Sequence, residues 1–594
     1  MGKRAMTRSE TGTTTELVDA AEALTRQLEC YGVDTVFGTC GHTNIALLDA
    51  ISRSSIRFVI ARHEQAAAHA ADGYARMTGK PGVVLVHVGP GLMNAVTGVA
   101  SAGYDSIPLV VIAGDIPSYY HGRHPHQEVN LHHDADQASI YRPFCKRVWE
   151  AHRAEDLPRF LERAFWTATS GRPGAVLLNI PMDLFNRKIP VDAATRHPLV
   201  RESSTPVLPE NSAQRIAEML TAAERPLIYF GGGLRTAAGR EALTELAEHL
   251  DIPIAHSLMG KGVVSDRHPL QLGITGFWGS ELANRSTREA DLVLAIGTRF
   301  AETDSSSWDP RYTWAFPPAR LIQIDLDPDE IGRNYPVEFG AVADAASAVT
   351  AINQAVRSLH PDPVRRAGLR ESIADSRDEV FGRARERGRS DAFPLEPERI
   401  LADLRQALPA DAILVTDVGW NKNGVAQCYE LPVEGRFITP GGSSTMGFGP
   451  AAAVGVQLAV PERPVVALIG DGGMSAQLPA IPMAVEQGAP VLFVVMNNSA
   501  HGTIADLQES NFASGFGCEF RTPDGAAYSP DFAALGQACG ADGYRIQSPE
   551  DLAKALATAL ERRRPAVLDV PMVNTPVPTP GHWNIKDIYH GDFS

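Results

Sequence analysis

The chain has little cysteine and pairs none of it in sequence. Cys30, Cys40, Cys145, Cys428, Cys518 and Cys539 lie far apart with no CxxC spacing. That spacing excludes a disulfide framework and a zinc knuckle, and it fits a reducing cytosol. Long apolar runs are also absent: stretches such as Pro108–Ala113 fall far short of the roughly 20 residues that cross a bilayer. The opening MGKRAMTRSETGTTTE has basic residues with no apolar core behind them, and Met6 stands where a myristoylation signal needs Ser or Thr. Neither a membrane anchor nor export is expected, and the predicted location is cytoplasmic. Positive charge is in deficit, with 54 Lys plus Arg against 70 Asp plus Glu, a net −16. Nucleic acid and anionic membrane surfaces are therefore poor partners, and an anionic ligand needs a local site.

What is present reads as several ordinary soluble domains. At 594 residues, with 44% hydrophobic and 21% charged residues, the chain is too long for one core and predicts three or four domains. Short β-rich runs alternate with helical stretches, which predicts an α/β fold of three domains, each a mainly parallel sheet flanked by helices. The Pro-rich stretch from Asn186 to about Ser212 reads as a linker, and the charged stretch from about His360 to Pro397 as a solvated helix plus linker. The predicted organisation is a flexible start over 1–14, domains over 15–190, 205–360 and 396–575, a linker over 361–395 and a tail over 576–594. The first and last domains share a plan that the middle one lacks. Val83–Val88 runs into Gly89-Pro90-Gly91, a helical stretch and the strand Leu109–Ala113; Val465–Ile469 runs into Gly470-Asp471-Gly472, a helical stretch to Gln487 and the strand Val491–Met496.

Gly470-Asp471-Gly472, followed after 24 intervening residues by Asn497-Asn498, carries the chemistry. Asp471 falls at the carboxyl end of a parallel strand, where such sheets leave a crevice for ligands. The following helix start, with Gly472 and Gly473, offers free N–H groups to a phosphate. A carboxylate and a carboxamide converging there make an all-oxygen site suited to Mg²⁺.

This segment resembles the GDG(x)NN signature of the thiamine diphosphate enzymes of the acetolactate synthase and 2-oxo acid decarboxylase, or pyruvate oxidase-like, family. Arg62-His-Glu64, Asp72-Gly-Tyr-Ala-Arg76, Gly89-Pro-Gly91, Gln127-Glu128, Ile324-Asp-Leu-Asp-Pro328 and Thr445-Met-Gly-Phe-Gly449 stand in that family's order, so the likeness spans about residues 15 to 575. It implies pyrimidine-binding, central and diphosphate-binding domains in that order. It further implies that Asp471, Asn498 and the Ala500 carbonyl ligate Mg²⁺, with Gly472, Gly473, Asn421, His501 and Gly502 around the diphosphate. By the same likeness Glu64 hydrogen-bonds the cofactor's pyrimidine ring and favours the imino form that removes the thiazolium C2 proton, while Met446 props the cofactor into a bent shape. Glu64 then reaches cofactor held by the opposite subunit, which implies a homodimer or homotetramer. The implied activity is decarboxylation of a 2-oxo acid with transfer of the acyl carbanion to an acceptor. A hydrolytic C–C lyase acting on a cyclic diketone is the alternative, and a non-catalytic homologue is disfavoured because Glu64, Asp471 and Asn498 are all present.

The chain departs from its resemblance in several places. Gly38-Thr-Cys-Gly-His42-Thr-Asn occupies a loop where acetolactate synthases carry a Gly-Gly pair; His42 is either a loop histidine or a group reaching the substrate space. His121, His124, His126, His132 and His133 crowd one loop, but no Cys or helical spacing supports zinc; His126 and Gln127 are candidates for a supporting role near the substrate. Leu507 replaces a family Trp, which argues against branched-chain amino acid biosynthesis. Gly231-Gly-Gly-Leu-Arg235 and Ile324–Asp327 border a flavin in relatives, yet Arg299–Asp304 lacks the companion Asp-Asp-Arg pattern, so FAD is left open but not expected. The tail through His582, Trp583, Asn584 and Asp587 reads as a packed terminus or an active-site lid.

Overall fold

The computed structural model describes residues 6–8, 14–130, 136–191, 204–576, 579 and 581. Among them, the expected α/β architecture is present as three six-stranded sheets, each parallel throughout. Two short strands, β1 (Met6–Arg8) and β2 (Thr14–Asp19), precede them. The first sheet comprises β3 (Thr35–Gly38), β4 (Arg57–Ile60), β5 (Gly82–Val86), β6 (Leu109–Asp115), β7 (Arg147–Glu150) and β8 (Ala175–Pro181), and β9 (Lys188–Pro190) follows it. The second holds β10 (Pro226–Phe230), β11 (Ile254–His256), β12 (Gln271–Ile274), β13 (Leu292–Ile296), β14 (Arg320–Asp325) and β15 (Phe339–Val342). The third holds β16 (Ile413–Thr416), β17 (Arg436–Ile438), β18 (Val465–Gly470), β19 (Leu492–Asn497), β20 (Asp542–Arg545) and β21 (Ala566–Pro571).

The strand orders explain the shared plan. The first sheet runs β4-β3-β5-β6-β8-β7 and the third β17-β16-β18-β19-β21-β20, the same permutation of six strands. The central sheet runs β12-β11-β10-β13-β14-β15, a different winding. In the two alike sheets the winding reverses between β3 and β5 and between β16 and β18, and the crevice for ligands opens at the carboxyl ends of those pairs. The central strands are unbroken apolar runs because helices cover both faces; all residues of β5 and β6 are buried.

Three details differ from the sequence reading. Within the stretch expected to be flexible, Met6–Arg8 forms a strand that pairs antiparallel with Thr14–Glu16, where β-branched threonines suit a strand. The stretch read as a linker from Asn186 begins with β9, whose Lys188–Pro190 pairs antiparallel with Leu17–Asp19. The helical stretch after Gly470 breaks in two, Asp471–Ala476 and Ala480–Gln487. The charged segment after residue 360 contains the expected helix, Leu369–Arg387.

The first and third domains meet helix to helix. Glu64–Thr78 and Phe448–Ala459 are rich in Ala and Gly, so their backbones touch: a Cβ at Gly455 would lie 1.8 Å from the Ala70 carbonyl oxygen, and one at Gly73 2.2 Å from that of Ala452. Beside this contact Arg76 is buried between Asp72 and Asp105, at 2.8 Å from the latter, and donates to the Thr439 carbonyl at 3.2 Å. Asp105 in turn accepts the N–H groups of Gly441 and Gly442, both at 2.8 Å. Burial alone would raise the Asp105 carboxyl; the Arg76 charge and these hydrogen bonds outweigh it and hold the group below its ordinary value.

Gly455→Ala should lower the thermal midpoint by several degrees, an overpacking cost of about 1–3 kcal/mol. Gly382→Ala, where a Cβ meets nothing, should not. Thermal unfolding followed by circular dichroism checks both, and equal midpoints would contradict the close contact.

Candidate functional site

Two groups of side chains gather at the two crevices. In the first domain Glu64 opens the helix Glu64–Thr78, whose N-cap His63 accepts from the Gln65 N–H at 3.2 Å. Glu64 is half-buried, taking the Thr39 hydroxyl on Oε1 at 2.8 Å and the Asn94 amide on Oε2 at 3.0 Å. Both partners lie on segments that leave the sheet at its carboxyl edge: Thr39 follows β3, and Asn94 stands in the first turns of the helix after β5.

A polar cluster lies on the same edge. His87, the first residue after β5, bonds the Gln127 amide oxygen through Nε2 at 2.8 Å and the Thr43 hydroxyl through Nδ1 at 2.9 Å. An amide oxygen only accepts, so Nε2 carries a proton; Thr43, which also accepts the Val88 N–H at 3.2 Å, is hydrogen-bonded to Nδ1. His87 is thus held on both sides of its ring. His42 is exposed and stands edge-on to His87, with ring centres 4.6 Å apart, and His126 stacks 6.3 Å from His42. Burial, then the neighbouring imidazoles of His87 and His126, hold His42 below the ordinary histidine value. The structure therefore brings His42, His126 and Gln127 together, whereas His132 and His133 lie outside the described residues, as do His582, Trp583, Asn584 and Asp587.

In the third domain Asp471 follows β18 directly and is 1% exposed. Its Oδ1 accepts the Gly472 N–H at 2.9 Å, while Oδ2 is buried with no partner among the described residues. Burial pushes its carboxyl up to about 6, against the backbone N–H groups of Gly472, Ser499 and Ala500, which pull it down. Asn421 donates to the Val418 carbonyl at 2.9 Å, and its own amide oxygen is buried with no partner among the described residues. Asn498, just past β19, donates to the Asn574 amide oxygen at 2.9 Å, and Ala500 is buried at the foot of the next turn. The backbone around these groups is tight: a Cβ at Gly472 would meet the His501 ring at 2.8 Å, one at Gly473 the Asp417 carboxylate at 2.5 Å, and one at Gly502 the Asn498 amide at 2.4 Å. Met446 is 43% exposed, on the loop before the helix Phe448–Ala459.

Several residues escaped the sequence reading. Asp417, the first residue after β16, accepts the Gly447 N–H on both oxygens, at 3.0 and 2.9 Å, and so fixes the residue next to Met446. Burial pushes Asp417 up to about 7. Lys422 is buried, donates to the Ser444 hydroxyl at 2.9 Å and stands 5.4 Å from the Trp278 ring; burial brings its ammonium down to about 8. His87, Asp417 and Asn574 share one usable signal, a polar residue just beyond an apolar strand. Gly231 and Gly233, considered for a flavin, pack against Gly297, where a Cβ at Gly233 would lie 2.8 Å from the Gly297 Cα. Among the described residues no hydrogen bond or ion pair links the Glu64 group to the Asp471 group.

Comparison with known proteins agrees with this layout. Family models match for the thiamine pyrophosphate enzyme N-terminal TPP binding domain over residues 18–139, the central domain over 213–352 and the C-terminal TPP binding domain over 417–570. The chain is similar to the acetolactate synthase isozyme 3 large subunit of Escherichia coli, with 34% identity covering 92% of this chain and 93% of the relative. It is similar also to the acetolactate synthase large subunit of Parasynechococcus marenigrum, with 34% identity covering 93% and 88%. A probable acetolactate synthase large subunit of Methanocaldococcus jannaschii is 31% identical, covering 94% and 93%.

The cluster geometry predicts that His42 is neutral at pH 7. Ring-proton NMR should show it titrating below the ordinary value of about 6.5; a midpoint at or above that value would contradict the packing of His42 on His87.

Proposed function

The chain belongs to the thiamine pyrophosphate enzymes, and from that premise we propose that it decarboxylates a 2-oxo acid and passes the acyl carbanion to a carbonyl acceptor, as acetolactate synthases do. The observation that carries the assignment of the site is the buried Asp471 carboxylate with an unpartnered oxygen, beside the unpartnered Asn421 oxygen and backbone that only glycine fits. Such a donor set suits a hard cation holding a diphosphate: Asp471, Asn498 and the Ala500 carbonyl would ligate Mg²⁺, and Gly472, Gly473, Asn421, His501 and Gly502 would surround the diphosphate. One carboxylate with neutral oxygens is also a poor zinc or iron site.

Bound there, the cofactor supplies the electron sink for a carbanion next to a carbonyl carbon. The chain supplies position and protons. Glu64, held by Thr39 and Asn94, would exchange a proton with the pyrimidine ring nitrogen, and Met446 would brace the ring system. His42, its basicity lowered beside His87, would move a proton at the reacting carbonyl, while Gln127, its oxygen turned to His87, would offer its amide N–H groups to substrate. Glu64 and Met446 both reach solvent in the single chain, and among the described residues no bond joins their groups, which supports a homodimer or homotetramer in which each site is completed by two subunits. Six free cysteines suit a cytoplasmic location. The relatives do not favour hydrolysis of a diketone.

A panel of 2-oxo acids, pyruvate included, should release carbon dioxide only with thiamine diphosphate and Mg²⁺ and yield a 2-hydroxyketone with a carbonyl acceptor. Asp471→Ala should abolish this, and His42→Ala should cut turnover by roughly 10²–10⁴-fold. Ring opening of a 1,2-diketone without carbon dioxide release would overturn the proposal.

A further inference from the structure

Between the edge strand β12, the helix Leu369–Arg387 and the helix Trp420–Cys428 lies a cavity of about 600 Å³. That is the size of pockets that take small organic ligands. It shares no residue with the cofactor site proposed above. Three side chains on its wall are more than nine-tenths buried and carry a polar atom with no hydrogen-bond partner among the described residues: Gln271 Nε2, Trp420 Nε1 and Glu398 Oε2. Buried groups of this kind lose water without compensation, so folded proteins keep few of them unless something fills the gap.

The remaining wall sets the occupant's body and charge. Trp278, Phe381 and the Trp420 ring give it flat apolar surfaces. Lys261 is engaged by Asp266 at 2.8 Å, and Arg387 by Glu396 and Glu398 at 2.8 and 3.2 Å. Arg377 is half-buried, donates to the His268 carbonyl at 3.1 Å and has no carboxylate within ion-pair distance among the described residues. Arg383 pairs with Glu379 at 3.4 Å, so among the described residues Arg377 is the one lining cation with no carboxylate in ion-pair reach.

We propose that this cavity is a second binding site, for a small aromatic monoanion whose ring lies among Trp278, Phe381 and Trp420 and whose anionic group meets Arg377. The helix Leu369–Arg387, read from sequence only as a solvated connector, forms one wall of it. Because Trp420 and Asn421 are consecutive, the site adjoins the diphosphate residues from behind.

Anilinonaphthalene sulfonate, a flat aromatic monoanion, provides the test. Titrated into the full chain with thiamine diphosphate and Mg²⁺ present, it should bind saturably at one site per chain, with energy transfer from tryptophan. Arg377→Glu, on a partly exposed helix, and Ala384→Trp, which fills the cavity from the same helix, should each weaken binding by about tenfold or more, with unchanged thermal midpoints. Affinity equal to the parent's in a folded Arg377→Glu chain, or no saturable binding in the parent, would overturn the proposal. If Ala384→Trp lowers the midpoint, the Arg377→Glu result decides.

Discussion

The Arg76 guanidinium, buried between Asp72 and Asp105, is the interaction on which the rest of the structure leans. Three charges out of water are tolerable only when each is answered, and here each is: Arg76 binds both carboxylates and the Thr439 carbonyl, while Asp105 takes two backbone N–H groups of the third domain. Removing one member would strand a buried charge, an effect of about 3–5 kcal/mol in comparable sites. The cluster is therefore a register pin between the first and third domains. It fixes the segment Thr439–Gly442, which continues through Ser444 and Met446 to Gly447, and Asp417 and Lys422 take up that continuation from the other side.

The close helix contact at Gly73 and Gly455 has a second consequence. It locks the first and third domains of one chain together on their helix faces, and among the described residues no hydrogen bond or ion pair joins Glu64 on one sheet edge to Asp471 on the other. Under the proposed function these are two half-sites that a second copy of the chain would complete. The negative net charge makes the local anion site more necessary, since nothing in the overall field draws a diphosphate in.

The sequence was most informative where one residue type has one physical use. Asp471, Gly472 and Gly473 stood out because a Gly-Asp-Gly turn after an apolar strand, 24 residues before an Asn pair, has few other uses, and the repeated strand-turn-helix plan foretold the matching windings of the first and third sheets. His87 was hidden inside an apolar run, and its meaning comes from Thr43 and Gln127, which are 44 and 40 residues away in the chain. Lys422 was unreadable for the same reason: its partners Ser444 and Trp278 belong to a distant loop and to another domain. The cavity beside Trp420 depends on three separate segments, and no local pattern could announce it.

The central claim is that Glu64, and no other group, activates a thiamine cofactor held against Asp471. Proton–deuteron exchange at the cofactor's C2, followed by quenched-flow NMR, measures that step directly. Glu64→Gln should keep the fold and bind thiamine diphosphate with Mg²⁺, yet slow the exchange by orders of magnitude, because a neutral amide cannot exchange a proton with the pyrimidine ring. Exchange as fast as in the parent would remove Glu64 from the mechanism and contradict the account.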